Sequence, residues 1–265
     1  MRPPYLDGGP TVIHHARYDR AVCTVVLAAQ VFSGFPLVVV ANRDEHLDRA
    51  SSPPRLWPGP MPFLAPRDDV AGGTWLGVNA AGVFVGITNR YLGPKDDARV
   101  SRGALVTSAL ALPSARAIHD AMATVPAARH NAFHLVYADA HDVLVTASNG
   151  TQIAQLTLGK GVHAITERSF GAGTDATRRA RIDAAWSRLA PTSTLELDRL
   201  SQLLTEHDDS DLLGATCIHV PGLRYGTRSG TAIALADVPA RSRMLWAEGP
   251  PCTTPFTPID LAACG

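Results

Sequence analysis

The order of its short apolar runs is the feature that most constrains the fold of this chain. Residues 24–29 and 36–41 are rich in valine and are separated by Ser33-Gly34. This pattern predicts a hairpin of two strongly buried strands. Residues 74–78 and 83–88 predict a second hairpin, because a short turn with a glycine joins two strand-like runs.

Strands and helices come in separate groups along the rest of the chain. The proline-rich residues 51–66 predict an irregular loop. The later predicted elements are helices between 101 and 124, strands near 133–138, 143–147 and 152–158, helices over 176–189 and 195–204, and strands near 216–220, 231–235 and 244–246. No regular β-α-β alternation and no G-x-G-x-x-G motif occurs. The order therefore predicts an α+β fold in which antiparallel sheets pack against helices, with residues 23–265 as a single domain.

Composition excludes several classes of function. The 24 basic and 24 acidic residues cancel, so the chain lacks the basic field that nucleic acid or an anionic membrane attracts. No apolar run approaches the roughly 18 residues that span a bilayer. The four cysteines form no C-x-x-C pair, and the ten histidines form no H-E-x-x-H or H-x-H pair. We therefore predict a cytoplasmic protein with no disulfide framework, no metal and no cofactor; a homo-oligomer is compatible with the sequence.

Cys23, at the start of the first predicted strand, is the first candidate for chemistry. A cysteine in this place is usually a small buried hydrophobic residue. However, Asn42-Arg43-Asp44-Glu45 follows the partner strand of the same hairpin. Antiparallel pairing would bring this polar segment close to Cys23, where an arginine favours the nucleophilic thiolate. The alternative for residues 42–45 is a solvated turn.

Three further residues are candidates. Trp75 lies in the glycine-rich stretch 72–79, whose glycines are by default turn or packing residues. Asn89 follows the second hairpin, and its amide can donate to a developing oxyanion, although alone it is a turn residue. Arg228 lies in the segment 225–231, for which the simpler interpretation is a glycine-rich turn with a surface arginine.

Taken together, these segments resemble the NRDE family, which is also called the transport and Golgi organization 2 family. Five motifs carry the resemblance, in the same order as in the family: Cys23-Thr24, Asn42-Arg43-Asp44-Glu45, Gly72-Gly73-Thr74-Trp75-Leu76-Gly77-Val78-Asn79, Ser101-Arg102-Gly103 and Tyr225-Gly226-Thr227-Arg228-Ser229. The family is similar in turn to N-terminal-nucleophile hydrolases of the choloylglycine hydrolase and penicillin V acylase type. The resemblance implies a four-layer αββα sandwich of two antiparallel sheets flanked by helices.

The resemblance also implies a reaction and roles for the candidates. Cys23 would attack the carbonyl of a linear amide in a small molecule, a non-peptide carbon–nitrogen bond, and its own α-amine would move the proton. Arg43 and Asp44 would position the amine and thiol, Asn89 would stabilise the oxyanion, and Arg228 would bind substrate or tune charge. Asn42, Glu45 and Trp75 are expected to contact the substrate. One departure is Glu167, which stands where family members commonly have a potential oxyanion donor.

Residues 1–22 pose a problem for this mechanism, because they convert the α-amine of Cys23 into an amide. They are expected to be either a leader that is removed or the product of a wrongly assigned start. We favour the second, because Val22 precedes Cys23 and a valine codon can be read as an initiating methionine.

A non-catalytic binding or trafficking protein of the same fold is the alternative function. Some members of the family are linked to haem handling, and a haem would need an axial ligand such as Cys217 or His219. Both residues are more simply strand residues. The sequence does not identify the substrate, and it leaves open whether the site is active.

Overall fold

The computed structural model describes residues 23–90, 92, 95–170, 176–190 and 194–261. In chain order the strands of these residues are β1 (Thr24–Phe32), β2 (Phe35–His46), β3 (Ser51–Trp57), β4 (Phe63–Asp68), β5 (Leu76–Asn79), β6 (Phe84–Asn89), β7 (Phe133–Ala138), β8 (Val143–Ser148), β9 (Ile153–Leu158), β10 (Gly161–Ile165), β11 (His219–Val220), β12 (Tyr225–Leu235), β13 (Arg243–Ala247) and β14 (Thr257–Ile259). The helices are α1 (Gly103–Leu110), α2 (Ala115–Ala123), α3 (Ala176–Leu189) and α4 (Leu197–Leu200).

The strands form two antiparallel sheets. The first has the order β10-β1-β2-β12-β13-β14, with β11 also paired to β12, and the second runs from β3 to β9 in sequence order. All strand pairs are antiparallel, as the segregated order of strands and helices predicted. In the first sheet, β2 lies between β1 and β12; its pairing with β1 ends at Asn42, and residues 43–46 continue the pairing with β12.

Four layers result from the packing of these sheets. Val25, Leu27 and Val39 of the first sheet pack against Phe84 and Val136 of the second, which forms the core between the sheets. The outer face of the second sheet packs on α1 and α2, and that of the first sheet packs on α3 and α4. The αββα sandwich is therefore confirmed. Strands β1 and β2 are apolar at almost every position because both of their faces are buried.

The segment between the two predicted hairpins differs from the prediction. Residues 51–66 were expected to be an irregular loop, but β3 and part of β4 lie there. Strand β3 is at the edge of its sheet, and its register with β4 shifts between Ser52 and Arg55. Pro53 and Pro54 fall in this shift. Prolines are tolerated at sheet edges and bulges because no ladder hydrogen bond is lost there, so the proline content was misleading.

A close approach of two backbones links two of the sequence motifs. A Cβ atom on Gly73 would lie 2.6 Å from the carbonyl carbon of Gly103, the first residue of α1. Because real Cβ atoms do not approach backbone this closely, position 73 needs glycine, whereas a Cβ atom on Gly103 would lie 3.1 Å from the backbone oxygen of Thr74, which is tight. The contact holds the segment before β5 against the start of α1, and Thr74, Trp75 and Gly103 line the same cavity.

The helices among the described residues are too short or too polar to cross a membrane.

Candidate active site

Antiparallel pairing brings Cys23 to the polar end of β2. Thr24 pairs with Asn42, and Arg43, Asp44 and Glu45 continue β2 beyond this pair. The Sγ atom of Cys23 lies 4.0 Å from the backbone oxygen of Asp44. Cys23 is buried, yet it lies on the wall of a cavity of about 580 Å³. The proximity of Cys23 to this segment, expected from the hairpin, is therefore present in the structure.

The thiol is protonated at neutral pH in this environment. Burial, together with the nearby negative charge of Asp44, raises the pKa of Cys23 to about 12. Arg43 lowers the pKa, as the sequence suggested, but its effect is smaller than that of burial. The arginine therefore acts in the predicted direction, but burial outweighs it in this state of the chain. Another positive group beside the sulfur would be needed to activate it.

Arg43 is held rigidly in the wall of the cavity. Its guanidinium carbon lies 4.2 Å from the centre of the Trp75 ring, in a cation–π arrangement. Its Nη1 donates to Ser51 Oγ at 3.4 Å, and its Nη2 lies 3.9 Å from Asp68 Oδ2. These contacts fix the cation beside the thiol with little freedom to turn towards solvent.

Asp44 is a buried carboxylate with one oxygen left unsatisfied. Its Oδ1 accepts a hydrogen bond from Thr227 Oγ1, whereas its Oδ2 has no hydrogen-bond partner among the described residues. Burial raises the pKa of Asp44 to about 7, although the Thr227 hydrogen bond and the charge of Arg178 act in the opposite direction. A buried, unpaired carboxylate oxygen beside a thiol is a place where a positively charged donor would be stabilised.

The raised pKa of Asp44 predicts a pH-dependent stability in a chain that retains residues 1–22. The unfolded chain releases this proton near pH 4, whereas the folded chain holds it until about pH 7. Between these values the folded state binds more protons, so the free energy of unfolding falls as pH rises. An Asp44→Asn variant has no carboxylate at this position, so its free energy of unfolding does not fall with pH for this reason. We expect its stability relative to the unsubstituted chain to improve by up to about 3 kcal/mol between pH 4.5 and pH 8.

Urea unfolding at a series of pH values measures this effect. Asp97→Asn is the matched control, because it removes an exposed carboxylate and is expected to leave the pH profile nearly unchanged. Parallel pH profiles for Asp44→Asn and the unsubstituted chain would show that Asp44 does not titrate in this range.

Three other predicted site residues also line the cavity. Asn89 lies at the end of β6, and Trp75 lies just before β5. Glu45 accepts a hydrogen bond from the backbone N–H of His46 at 2.9 Å, and its Oε2 lies 3.7 Å from Arg49 Nε. The structure therefore brings Asn89, Trp75 and Glu45 to the same cavity as Cys23, Arg43 and Asp44.

Two predicted site residues lie elsewhere. Asn42 Nδ2 donates to the backbone oxygens of Leu204 and Thr216, each at 2.8 Å. Arg228 Nη1 donates to the backbone oxygen of Leu47 at 2.7 Å. Neither residue lines the cavity. In this structure both side chains bind neighbouring backbone, and their contact with substrate stays a prediction.

Sequence reasoning missed the residue next to Arg228. The register between β2 and β12 shifts between Thr227 and Ser229, which leaves Arg228 at the bulge. Thr227 is the residue of this motif that contacts Asp44. The motif was therefore a correct signal for the site, but its threonine, not its arginine, points to the buried carboxylate.

A basic wall of the cavity was also missed. Arg90, Arg99 and Arg102 line it, and each donates to a backbone oxygen, at Ser148, His130 and Ala132 respectively. Arg99 also lies 3.3 Å from Asp96. The cavity thus has a buried thiol at one place and several guanidinium groups at another, which suits a polar or anionic small molecule.

Glu167 is a buried member of an ion pair and not an exposed polar donor. It is buried, and its Oε2 lies 3.1 Å from Nη1 of Arg178, a residue that is 1% exposed. Arg178 also donates to the backbone oxygen of Leu213. Glu167 does not line the cavity. This buried ion pair acts electrostatically on Asp44 from behind the site.

The sequence pattern of one known family matches this chain. The family described as Transport and Golgi organisation 2 matches residues 22–243. The chain belongs to this family. The resemblance inferred from the five motifs is confirmed.

Two curated relatives carry the name of the family. The chain is 24% identical to the human Transport and Golgi organization protein 2 homolog over 230 residues, which are 76% of this chain and 82% of the human protein. It is 26% identical to the Mus musculus Transport and Golgi organization 2 homolog over 179 residues. That match covers 64% of this chain and 60% of the length of the mouse protein.

Solved structures support the fold of the family member. A mutant of conjugated bile acid hydrolase from Clostridium perfringens has a TM-score of 0.60 at 12% identity, covering 91% of this chain and 93% of that chain. A Caenorhabditis elegans ortholog of N-acylethanolamine-hydrolyzing acid amidase has a TM-score of 0.58 at 13% identity, covering 82% of this chain and 95% of that chain. At these identities the likeness shows the fold alone, which is the sandwich of N-terminal-nucleophile hydrolases.

Proposed function

We propose that this protein is an N-terminal-nucleophile hydrolase that uses Cys23 to cleave a linear, non-peptide amide bond in a small molecule. The observation that carries the proposal is the environment of the thiol. Cys23 lies on the wall of a cavity, next to a fixed arginine and to Asp44, whose Oδ2 has no partner among the described residues. An α-ammonium group at Cys23 is a donor of the kind that this oxygen lacks.

The proposal requires Cys23 to be the first residue of the active chain. A free α-amine titrates at about 7.7–8.0, so it can accept the thiol proton near neutral pH. The resulting ammonium would stabilise both the thiolate and the Asp44 carboxylate, and it would lower the pKa of each. With an amide in this position, Cys23 keeps its raised pKa of about 12 and is inert.

We assign each step of the reaction to one of these groups. The α-amine takes the proton of the Cys23 thiol, and the thiolate forms a bond to the amide carbonyl carbon. The Asn89 side chain donates to the oxyanion that develops. The carbon–nitrogen bond breaks as the α-ammonium returns the proton to the leaving amine. Water, deprotonated by the α-amine, then attacks the thioester, releases the carboxylic acid and restores the thiol.

The substrate class follows from the cavity and from the structural neighbours. Those neighbours are named as hydrolases of conjugated bile acids and of N-acylethanolamines, and the second is an amidase by name. Trp75 and Ile87 line the cavity near the polar residues and provide apolar surface for an acyl group. Arg90 donates one N–H to the backbone oxygen of Ser148, and its other N–H groups can bind a carboxylate on the substrate. An N-acyl amino acid combines these features.

A comparison of two N termini tests the proposal. One preparation begins at Cys23 with a free amine, released from an N-terminal fusion by a protease, and the other retains residues 1–22. Both are incubated with N-acyl amino acids and N-acylethanolamines, and mass spectrometry measures the released acid and amine. We expect turnover only in the preparation that begins at Cys23, because only that chain has an amine to accept the thiol proton.

Thermal unfolding of both preparations controls for differences in folding. Equal turnover by the two chains would contradict the role of the α-amine. The absence of turnover by a folded chain that begins at Cys23 would contradict the proposed activity on these amides. The intact mass of the untagged protein from its native cells shows which N terminus is present there.

A further inference from the structure

Two cysteines and a histidine converge outside the cavity that contains Cys23. Cys217 lies in a bend two residues before His219, the first residue of β11, and the side chains of the two residues are in contact. Cys252 comes from the turn after β13, whose Thr253 N–H donates to the backbone oxygen of Pro250. The ligand-type atoms of these three residues all lie within 4.8 Å of one another.

The spacing of these atoms matches a transition-metal site. Cys217 Sγ lies 3.6 Å from His219 Nε2, which lies 3.1 Å from Cys252 Sγ. Zinc–sulfur bonds of about 2.3 Å and zinc–nitrogen bonds of about 2.0–2.1 Å at tetrahedral angles require sulfur–nitrogen separations of about 3.6 Å. The Cys217–His219 separation therefore equals this value, and the His219–Cys252 separation would have to lengthen by about half an ångström.

The burial of the three residues suits a metal. Cys217 is fully buried, whereas His219 and Cys252 are half-buried. An ion can therefore reach the cluster from solvent and still be bound in a shielded place.

We propose that Cys217, His219 and Cys252 bind a zinc ion. Two thiolates and His219 Nε2 supply three ligands, and a water molecule completes the tetrahedron. Binding releases the two thiol protons to solvent and involves no oxidation or reduction. Two sulfur ligands and one imidazole favour zinc over magnesium or calcium, which prefer oxygen ligands.

The position of the ion suggests what it stabilises. It joins the turn that contains Cys252 to the chain that enters β11. Next to Cys217, the backbone N–H of Ile218 donates to Thr227 Oγ1 at 2.8 Å, and Thr227 in turn donates to Asp44. The ion would therefore brace the backbone that positions the buried carboxylate of the candidate active site. Sequence spacing could not reveal this set because Cys252 is 33 residues from His219.

Zinc and cobalt binding to the full-length chain tests the proposal. The reduced protein is stripped with a chelator and titrated with Zn²⁺ in competition with a chromophoric indicator. We expect one ion per chain. Co²⁺ in place of Zn²⁺ is expected to give visible bands typical of tetrahedral coordination and a near-ultraviolet thiolate band.

Variants show whether this cluster, and not another thiol of the chain, binds the zinc ion. Cys252→Ser is expected to weaken zinc binding by at least about 100-fold, because it removes one of three protein ligands. Cys252 is half-buried in a turn, and thermal unfolding verifies that the variant folds. Cys23→Ser is the matched control and is expected to keep the zinc affinity. The proposal is overturned by sub-stoichiometric binding, by unchanged affinity in Cys252→Ser, or by a Cys217–Cys252 disulfide in the protein isolated from its cells.

Discussion

Replacing Cys23 by alanine, in a chain that begins at this position, is expected to lower amide turnover by at least about 10³-fold. The physical reason is that the substitution removes the only sulfur in the cavity wall that the described residues provide. The cavity itself, with Arg43 stacked on Trp75, needs no change to accommodate the smaller side chain. Substrate affinity is therefore expected to change little, and the loss should appear in kcat. Steady-state kinetics and calorimetric measurement of the substrate Kd check both expectations.

Two further observations make this prediction specific to covalent catalysis. The chain with Cys23 is expected to accumulate an acyl-enzyme whose mass exceeds that of the free chain by the acyl group, and the alanine variant is not. Cys23→Ser keeps a weaker nucleophile of similar size, so its turnover should fall between the two or lie near that of alanine. Turnover in the alanine variant at the rate of the unsubstituted chain would falsify the assignment of Cys23 as the nucleophile.

The part of the site that is local in sequence could be predicted. Valine-rich runs on both sides of Ser33-Gly34 fix the β1–β2 hairpin, and the hairpin dictates that Cys23 lies beside Arg43 and Asp44. The order of strands and helices likewise predicted two antiparallel sheets with helical layers. These inferences succeed because hydrophobic periodicity and short turns act over a few residues.

Contacts between distant segments could not be predicted in the same way. Thr227 is 183 residues from Asp44, and the bulge that turns Thr227 rather than Arg228 towards the carboxylate leaves no mark in the sequence. The effect of burial on the pKa of Cys23 could not be predicted from the sequence either. The presence of Arg43 beside Cys23 suggested a thiolate, but the desolvation of the sulfur outweighs that charge. The extent of burial depends on the packing of both sheets, which a local pattern does not specify.

Replacing Arg178 by methionine is expected to destabilise the protein by about 3–5 kcal/mol. Arg178 and Glu167 are 1% and 4% exposed in their side chains, and their ion-paired atoms are 3.1 Å apart. Removal of the arginine leaves a buried carboxylate whose nearest other cation among the described residues, Arg168, is half-exposed and 3.5 Å away. The backbone oxygen of Leu213 also loses a donor. Urea unfolding of the variant and of the unsubstituted chain measures the effect.

Two further variants show whether the destabilisation comes from breaking the ion pair or only from losing an arginine. Arg188→Met lies on the same helix at an exposed position and is expected to change the free energy of unfolding by less than about 0.5 kcal/mol. Glu167→Gln combined with Arg178→Met removes the uncompensated charge, so the double variant should be less destabilised than the sum of the single variants. Because Arg178 lowers the pKa of Asp44, its loss should also raise that pKa and weaken the candidate active site. An Arg178→Met variant as stable as Arg188→Met would mean that water or local rearrangement replaces the arginine.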